Sequence, residues 1–192
     1  MRVDMRFWMI AGVWMCVSCS EYTPKPRGYF RIEPPTPTYM SLLVNELPYS
    51  FRISSLVTVE TPPLYSPGER WINLSYPSLG AKIYCSYLAV TPATLEVAAE
   101  ESLELVSRQA KGAQAISEQA YTNKTEQVYA SLYELDGATA SPLQFMLTDS
   151  STHFFRGALY YDYVPNPDSI APVTNYLKAD MMELIQSFSW KK

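Results

Sequence analysis

His153 is the only histidine in the 192-residue chain, and it follows closely on Ser150 and Ser151. A serine activated by an imidazole is the usual nucleophile of a hydrolase, so these residues are the first place to look for catalysis. Their spacing argues against it. Side chains this close in one loop rarely reach triad geometry, and no third group that would orient the imidazole is evident. A zinc site needs several converging ligands, which one histidine and an isolated thiol do not supply. The seven glycines are scattered and form no phosphate-cradling loop. Acidic residues are plentiful, but spacing singles out no pair. The sequence therefore demands no enzyme, no metal and no cofactor. A hydrolase built on Ser150 or Ser151 with His153 is the residual catalytic reading.

Cysteine is the other reactive type, and Cys19 is the informative one. Arg2 and Arg6 make a short basic start, residues 7–17 are almost unbroken apolar, and the small Ser18 precedes Cys19. This is the order of a secretory signal. The apolar run is too short to cross a bilayer core, which needs roughly 20 residues. Residues 1–18 thus read as a bacterial lipoprotein signal, cleaved before Cys19, with diacylglycerol on the thiol and an acyl chain on the new amino group. Such signals usually carry an aliphatic residue three positions before the cysteine, where this chain has Cys16. Cys16 is itself a poorer acceptor because bulky Met15 precedes it. An ordinary signal peptide is the alternative. Cys85 lies in an alternating run and reads as a small buried hydrophobe.

Composition narrows the partners. Removal of residues 1–18 takes away Arg2, Arg6 and Asp4, leaving 13 basic and 18 acidic side chains and a net charge of −5. An acidic, tyrosine-rich chain lacks the basic footprint that nucleic acid requires. An exported domain with one unacylated cysteine has no disulfide and depends on its apolar core.

Residues 19–48 read as a lipidated tether. Pro24, Pro26, Pro34, Pro35, Pro37 and Pro48 favour polyproline II, at about 3.1 Å per residue. Lys25, Arg27 and Arg31 are either solvated linker charges or contacts to anionic headgroups. Tyr22, Tyr29, Phe30 and Tyr39 are too aromatic for an inert spacer, so part of this stretch should dock on the domain or on a partner.

Residues 49–192 then read as one domain. Short strands are expected at 49–53 and 56–60, and a hairpin at 71–76 and 81–90 around Pro77-Ser78-Leu79-Gly80. Residues 91–111 form the first helix, with Thr91 as N-cap, Pro92 at the first position, and Leu95, Ala98, Ala99, Ser102, Leu105 and Val106 facing inward. Its acidic residues Glu96, Glu100, Glu101 and Glu104 crowd the early turns, suiting the helix dipole. Strands follow at 115–120, 127–135, 143–148 and 154–164, the last with Phe155, Leu159, Tyr161 and Tyr163 on one face. Asp168 or Ser169 caps a final helix, with Pro172 in its first turn and Val173, Leu177, Met181, Leu184 and Phe188 as its apolar stripe. The class is α+β, an antiparallel β-sheet with two packed helices. The closing order of elements resembles the Mog1/PsbP-like fold. Asp168-Ser169-Ile170 resembles a periplasmic O-glycosylation motif; a helix cap is by itself enough to explain Ser169 and is the favoured reading.

Several stretches together resemble one family. They are Tyr22-Thr-Pro-Lys-Pro-Arg-Gly-Tyr-Phe-Arg-Ile-Glu33, Trp71-Ile-Asn-Leu-Ser-Tyr-Pro77, Val128-Tyr-Ala-Ser-Leu-Tyr133, Leu147-Thr-Asp-Ser150, His153-Phe-Phe-Arg-Gly-Ala-Leu-Tyr160 and Pro165-Asn-Pro-Asp-Ser169. From Cys19 onward the chain resembles the gliding motility lipoproteins GldD. The resemblance implies a lipoprotein of gliding motility, tied to the type IX secretion system and without known enzymatic activity. It carries over only Cys19, as lipid acceptor. Ser20 after the cysteine favours the outer membrane, most simply its periplasmic face; Glu21 leaves surface exposure open. The expectation is an anchored adaptor that grips a protein partner, with Tyr29, Arg31, Trp71, Arg156 and Tyr161 as candidate contacts and Tyr160 and Tyr163 beside them. Tyrosine, tryptophan and arginine dominate interface hot spots. A small-molecule or lipid carrier using a cleft between sheet and helices is the alternative.

Overall fold

In the computed structural model, residues 36–44, 46–63, 69–162 and 167–191 are described, 167–169 without their side chains. Cys19, Tyr29, Arg31 and Tyr163, and the side chain of Ser169, lie outside the described residues.

The chain alternates apolar and polar residues in most strands, and those strands pair as one antiparallel sheet of seven. They are β4 (Thr58–Glu60), β5 (Glu69–Tyr76), β6 (Ala81–Ala89), β7 (Ala113–Asn123), β8 (Val128–Gly137), β9 (Leu143–Thr148) and β10 (His153–Tyr161), ordered β4-β5-β6-β10-β9-β8-β7. Helix α1 (Pro92–Gln109) carries the chain from β6 to β7 at the far edge, and the meander β7 to β10 returns to pair with β6. Helix α2 (Pro167–Gln186) packs on the opposite face. The α+β class with two helices on an antiparallel sheet is what the sequence indicates.

Ile72, Leu74 and Tyr76 of β5, Ile83, Cys85 and Tyr87 of β6, and Phe155 and Leu159 of β10 all point to the α2 side. The expected stripe of α2 meets them, with Val173, Leu177, Met181, Leu184 and Phe188 all buried. Burial pushes the Cys85 thiol far up, as expected of an inert core residue.

Three local expectations change. Residues 49–53 form two strands, because Phe51 lies between residues with different partners: β2 (Tyr49–Ser50) pairs with β11 (Ser189–Trp190), and β3 (Arg52–Ser54) pairs with β1 (Tyr39–Ser41). Helix α1 has no acid in its first turn. Its N-terminus is held by a capping box, in which Thr94 N donates to Thr91 Oγ1 and Thr91 N to Thr94 Oγ1. Helix α2 begins at Pro167, one turn earlier than Pro172 suggests, and Pro172 lies inside it.

The stretch read as a tether also ends earlier than its prolines indicate. Tyr39–Ser41 is a strand, Leu42 and Leu47 are buried in the core, and Tyr39 Oη donates to Asp180 Oδ1 of α2 at 2.8 Å. Part of the aromatic lead-in is therefore docked on the domain, as its composition requires.

Candidate functional site

Helix α1 covers only part of its face of the sheet. Val106 packs on Tyr133 and Leu135 of β8, and Ala98 packs with Val90 and Phe154 of β10. The β5–β6 end of that face is left open. Register fixes what lies there: Trp71 pairs with Ser86, which pairs with Arg156, so all three share one face. At about 4.8 Å per strand, Trp71 and Arg156 stand about 10 Å apart across Ser86. They line a groove of about 210 Å³ together with Glu69, Leu88, Glu101 and Phe154. Trp71 is 39% exposed, Tyr84 48% and Leu88 38%. Tyr84 and Tyr160 meet edge to face with centroids 5.6 Å apart, and Lys82 Nζ sits 5.9 Å from the Tyr84 ring. Trp71, Tyr84 and Tyr160 thus share one face of the sheet, with the Lys82 cation beside Tyr84.

Arg156 lies at the floor of this groove. Burial pushes its guanidinium down, while Tyr160 and Glu101 act in the opposite direction. Among the described residues, no carboxylate comes within ion-pair distance of it. A partly desolvated guanidinium beside an exposed indole suits a carboxylate delivered by a partner, with which arginine can pair in a bidentate manner.

The structure thus brings Trp71 and Arg156 together and separates Tyr161 from them. Tyr161 is on the α2 side, half-buried against the core, with its hydroxyl 2.7 Å from Thr174 Oγ1. Its alternation with Phe155 and Leu159 places it there, on the face opposite the groove. Tyr160, one position earlier, faces the groove side. Tyr84 and Leu88 share that side. They occupy outward positions of a strand whose inward positions are Ile83, Cys85 and Tyr87, so the alternation itself could have found them.

The loop 149–152 holds the chain in another way. Asp149 accepts five hydrogen bonds, from the amides of Ser151, Thr152 and His153 and from the hydroxyls of Ser151 and Thr152, all at 2.8–2.9 Å. Ser150 adopts a left-handed φ of 68°. His153 Nδ1 lies 2.8 Å from Tyr87 Oη, and its ring stacks on Trp190 at 4.9 Å. The Ser151 hydroxyl and the His153 ring have different partners, so no serine–histidine pair is made there. Among the described residues no group of three or more metal-ligating side chains occurs.

The family model of the gliding motility lipoprotein GldD matches residues 19–190. This chain belongs to that family. The match begins at Cys19 and runs through Trp71 and Arg156 to Trp190, so the groove and the lead-in strand both fall within the family's span. No curated protein matches. Among solved structures, the chain is similar to the solution structure of cyanobacterial PsbP (CyanoP) from Synechocystis sp. PCC 6803. That similarity has a TM-score of 0.48 and 10% identity, over 79% of this chain and 92% of that one.

Proposed function

We propose that this gliding motility lipoprotein is a non-catalytic adaptor, anchored by acyl chains on Cys19 to the periplasmic face of the outer membrane. It serves the gliding apparatus and its associated type IX secretion machinery by holding a protein partner. The observation that carries this reading is the groove that part-exposed Trp71 and Leu88 form with part-buried Arg156, with exposed Tyr84 and half-buried Tyr160 on the same face of the sheet. Scattered exposed apolar residues are ordinary, but aromatic side chains on one face with a part-buried arginine are the composition of an interface core. Family membership supports the lipoprotein and motility parts of the reading; the groove supports the adaptor part.

A photo-crosslinking residue at Tyr84 in the full-length protein tests it in cells. The expected result is a discrete adduct with another envelope protein. Trp71→Ala combined with Arg156→Ala should reduce that adduct roughly 30-fold, the effect of about 2 kcal/mol at an interface hot spot. Cys19→Ala should move the protein out of the membrane fraction. An adduct that survives the double substitution would overturn the groove assignment, and Cys19→Ala protein that remains in membranes would overturn the anchor.

One observation favours a carrier as second reading. Leu95, Ala99, Tyr129, Met146 and Phe154 line an apolar surface groove of about 390 Å³ beside the first half of α1, within the size range of small-molecule sites. Organic extraction of purified protein followed by mass spectrometry distinguishes the two, since a carrier releases a stoichiometric small molecule.

A further inference from the structure

The two edges of the main sheet are finished very differently. Strand β4 has three residues, is followed after Thr61 by Pro62-Pro63, and carries Glu60 paired with Lys82. Short length, charge and proline are the usual means of blunting an edge. Strand β7 has eleven residues, no proline and only one charged side chain along its span. Every residue from Gln114 to Ala120 is exposed, including Ile116 at 55%. Its single charge is Glu118, whose Oε1 already accepts from Ser131 Oγ at 2.7 Å and Tyr133 Oη at 3.2 Å. One irregularity interrupts it, between Ala113 and Ala115 at its start. Among the described residues, only β8 pairs with it. Its other side is a row of backbone donors and acceptors with the spacing of a strand.

We propose that β7 is the self-association edge of this protein, pairing antiparallel with β7 of a second copy about a two-fold axis at Gln119. Two observations favour that occupant. An axis at Gln119 pairs residues 115–123, setting Ile116 opposite Thr122 and Glu118 opposite Ala120 of the other copy, so the two carboxylates do not oppose one another. The area also fits a protein held at a surface. One strand pair of about 30 Å buries less than the roughly 800 Å² per partner of a stable interface. Such a pair is weak in free solution and is strengthened when both copies are confined to one membrane. The inference rests on the anchor in this last respect, and on the geometry of β7 for the rest.

Cysteine crosslinking of the full-length protein in cells tests it. With Cys19 acylated and Cys85 buried, Gln119→Cys adds one accessible thiol, placed at the axis. A short bismaleimide should join two copies into a band of twice the mass, and Glu96→Cys, exposed on α1, should not. Ile116→Cys together with Thr122→Cys should give the same band without a thiol at the axis. Ile116→Lys added to Gln119→Cys should weaken the band at least 10-fold. Three results would overturn the proposal: both edge variants remaining monomeric, a band no stronger than that of Glu96→Cys, or joining to a different protein. Fractionation of the same cells reports the anchor separately, so loss of membrane association with a retained dimer band would sink the anchor and leave the edge assignment standing.

Discussion

Gly157→Val is expected to destabilise the domain by about 3 kcal/mol, at the upper end of what overpacking costs. Gly157 lies in β10 between Cys85 of β6 and Phe145 of β9, on the α2 side of the sheet. A Cβ at this position would come 2.3 Å from Phe145 Cζ and 2.5 Å from its Cε1. The Phe145 ring is 2% exposed and lies 5.8 Å from the Phe155 ring, so it cannot swing out of the way. Proteins of this size lose roughly 2–4 °C per kcal/mol, so the midpoint should fall by about 10 °C. Urea unfolding checks the value. Gly157→Ala combined with Phe145→Leu should recover much of the loss of Gly157→Ala alone, because the smaller side chain vacates the space. A valine variant within about 0.5 kcal/mol of the original would show that the ring is not confined.

Asp149→Ala is expected to cost about 2–4 kcal/mol and to fray the β9–β10 loop. Its carboxylate collects five short hydrogen bonds, and those to a charged group contribute about 1.5–3 kcal/mol each when shielded and less at this partly exposed site. Partial burial alone would raise this carboxyl. The amides of His153 and Ser151 and the groups of Thr152 outweigh it and hold the carboxyl well below the ordinary carboxylate range. The contribution is therefore complete above the unfolded value of about 4 and is lost as pH falls through the depressed folded value. Asp149→Asn keeps one acceptor and does not titrate. Its deficit against the original chain should be largest at pH 5–7 and shrink steadily towards pH 2. A deficit independent of pH would refute the charge-assisted account. Asp180 works in the opposite sense: burial raises its carboxyl, with the hydroxyls of Tyr39, Tyr76 and Ser54 acting against the rise. What protonated Asp180 contributes is complete at low pH and fades as pH rises through the raised value. Comparing Asp149→Asn with the original chain cancels that background.

Period-two alternation in residues 71–76, 81–89 and 143–148 made the core strands legible, since each inward set is apolar enough to reveal its face. The Thr91-Pro92 start of α1 was legible for the same kind of local reason. The pairing change at Phe51 was not, because it is set by β11, more than a hundred residues away. Nor was the start of α2, where Pro167 and Pro172 both satisfy a first-turn rule and only packing selects between them. For the candidate site, Trp71 and Arg156 were visible as residue types suited to an interface. Their meeting depends on β10 returning beside β6 after an excursion through α1 and three strands, which no local pattern encodes. Tyr161 illustrates the converse, since its own alternation with Phe155 and Leu159 places it inward. Tyr39, inside a proline-rich stretch, betrayed its docking only through being aromatic.

The lead-in strand has a mechanical consequence. A pull on the chain N-terminal to residue 39 enters the fold at β1, which is held by three residues of ladder, the Tyr39–Asp180 bond, and the burial of Leu42 and Leu47. None of these residues belongs to the seven strands of the main sheet. Under load the chain should therefore pay out residues 39–47 first, adding about 30 Å of reach at about 3.4 Å per residue while the main sheet keeps its shape. Force spectroscopy on the anchored protein should show that short step before the main rupture, at lower force in Tyr39→Phe. A single rupture with no earlier extension would mean that the lead-in has one length only.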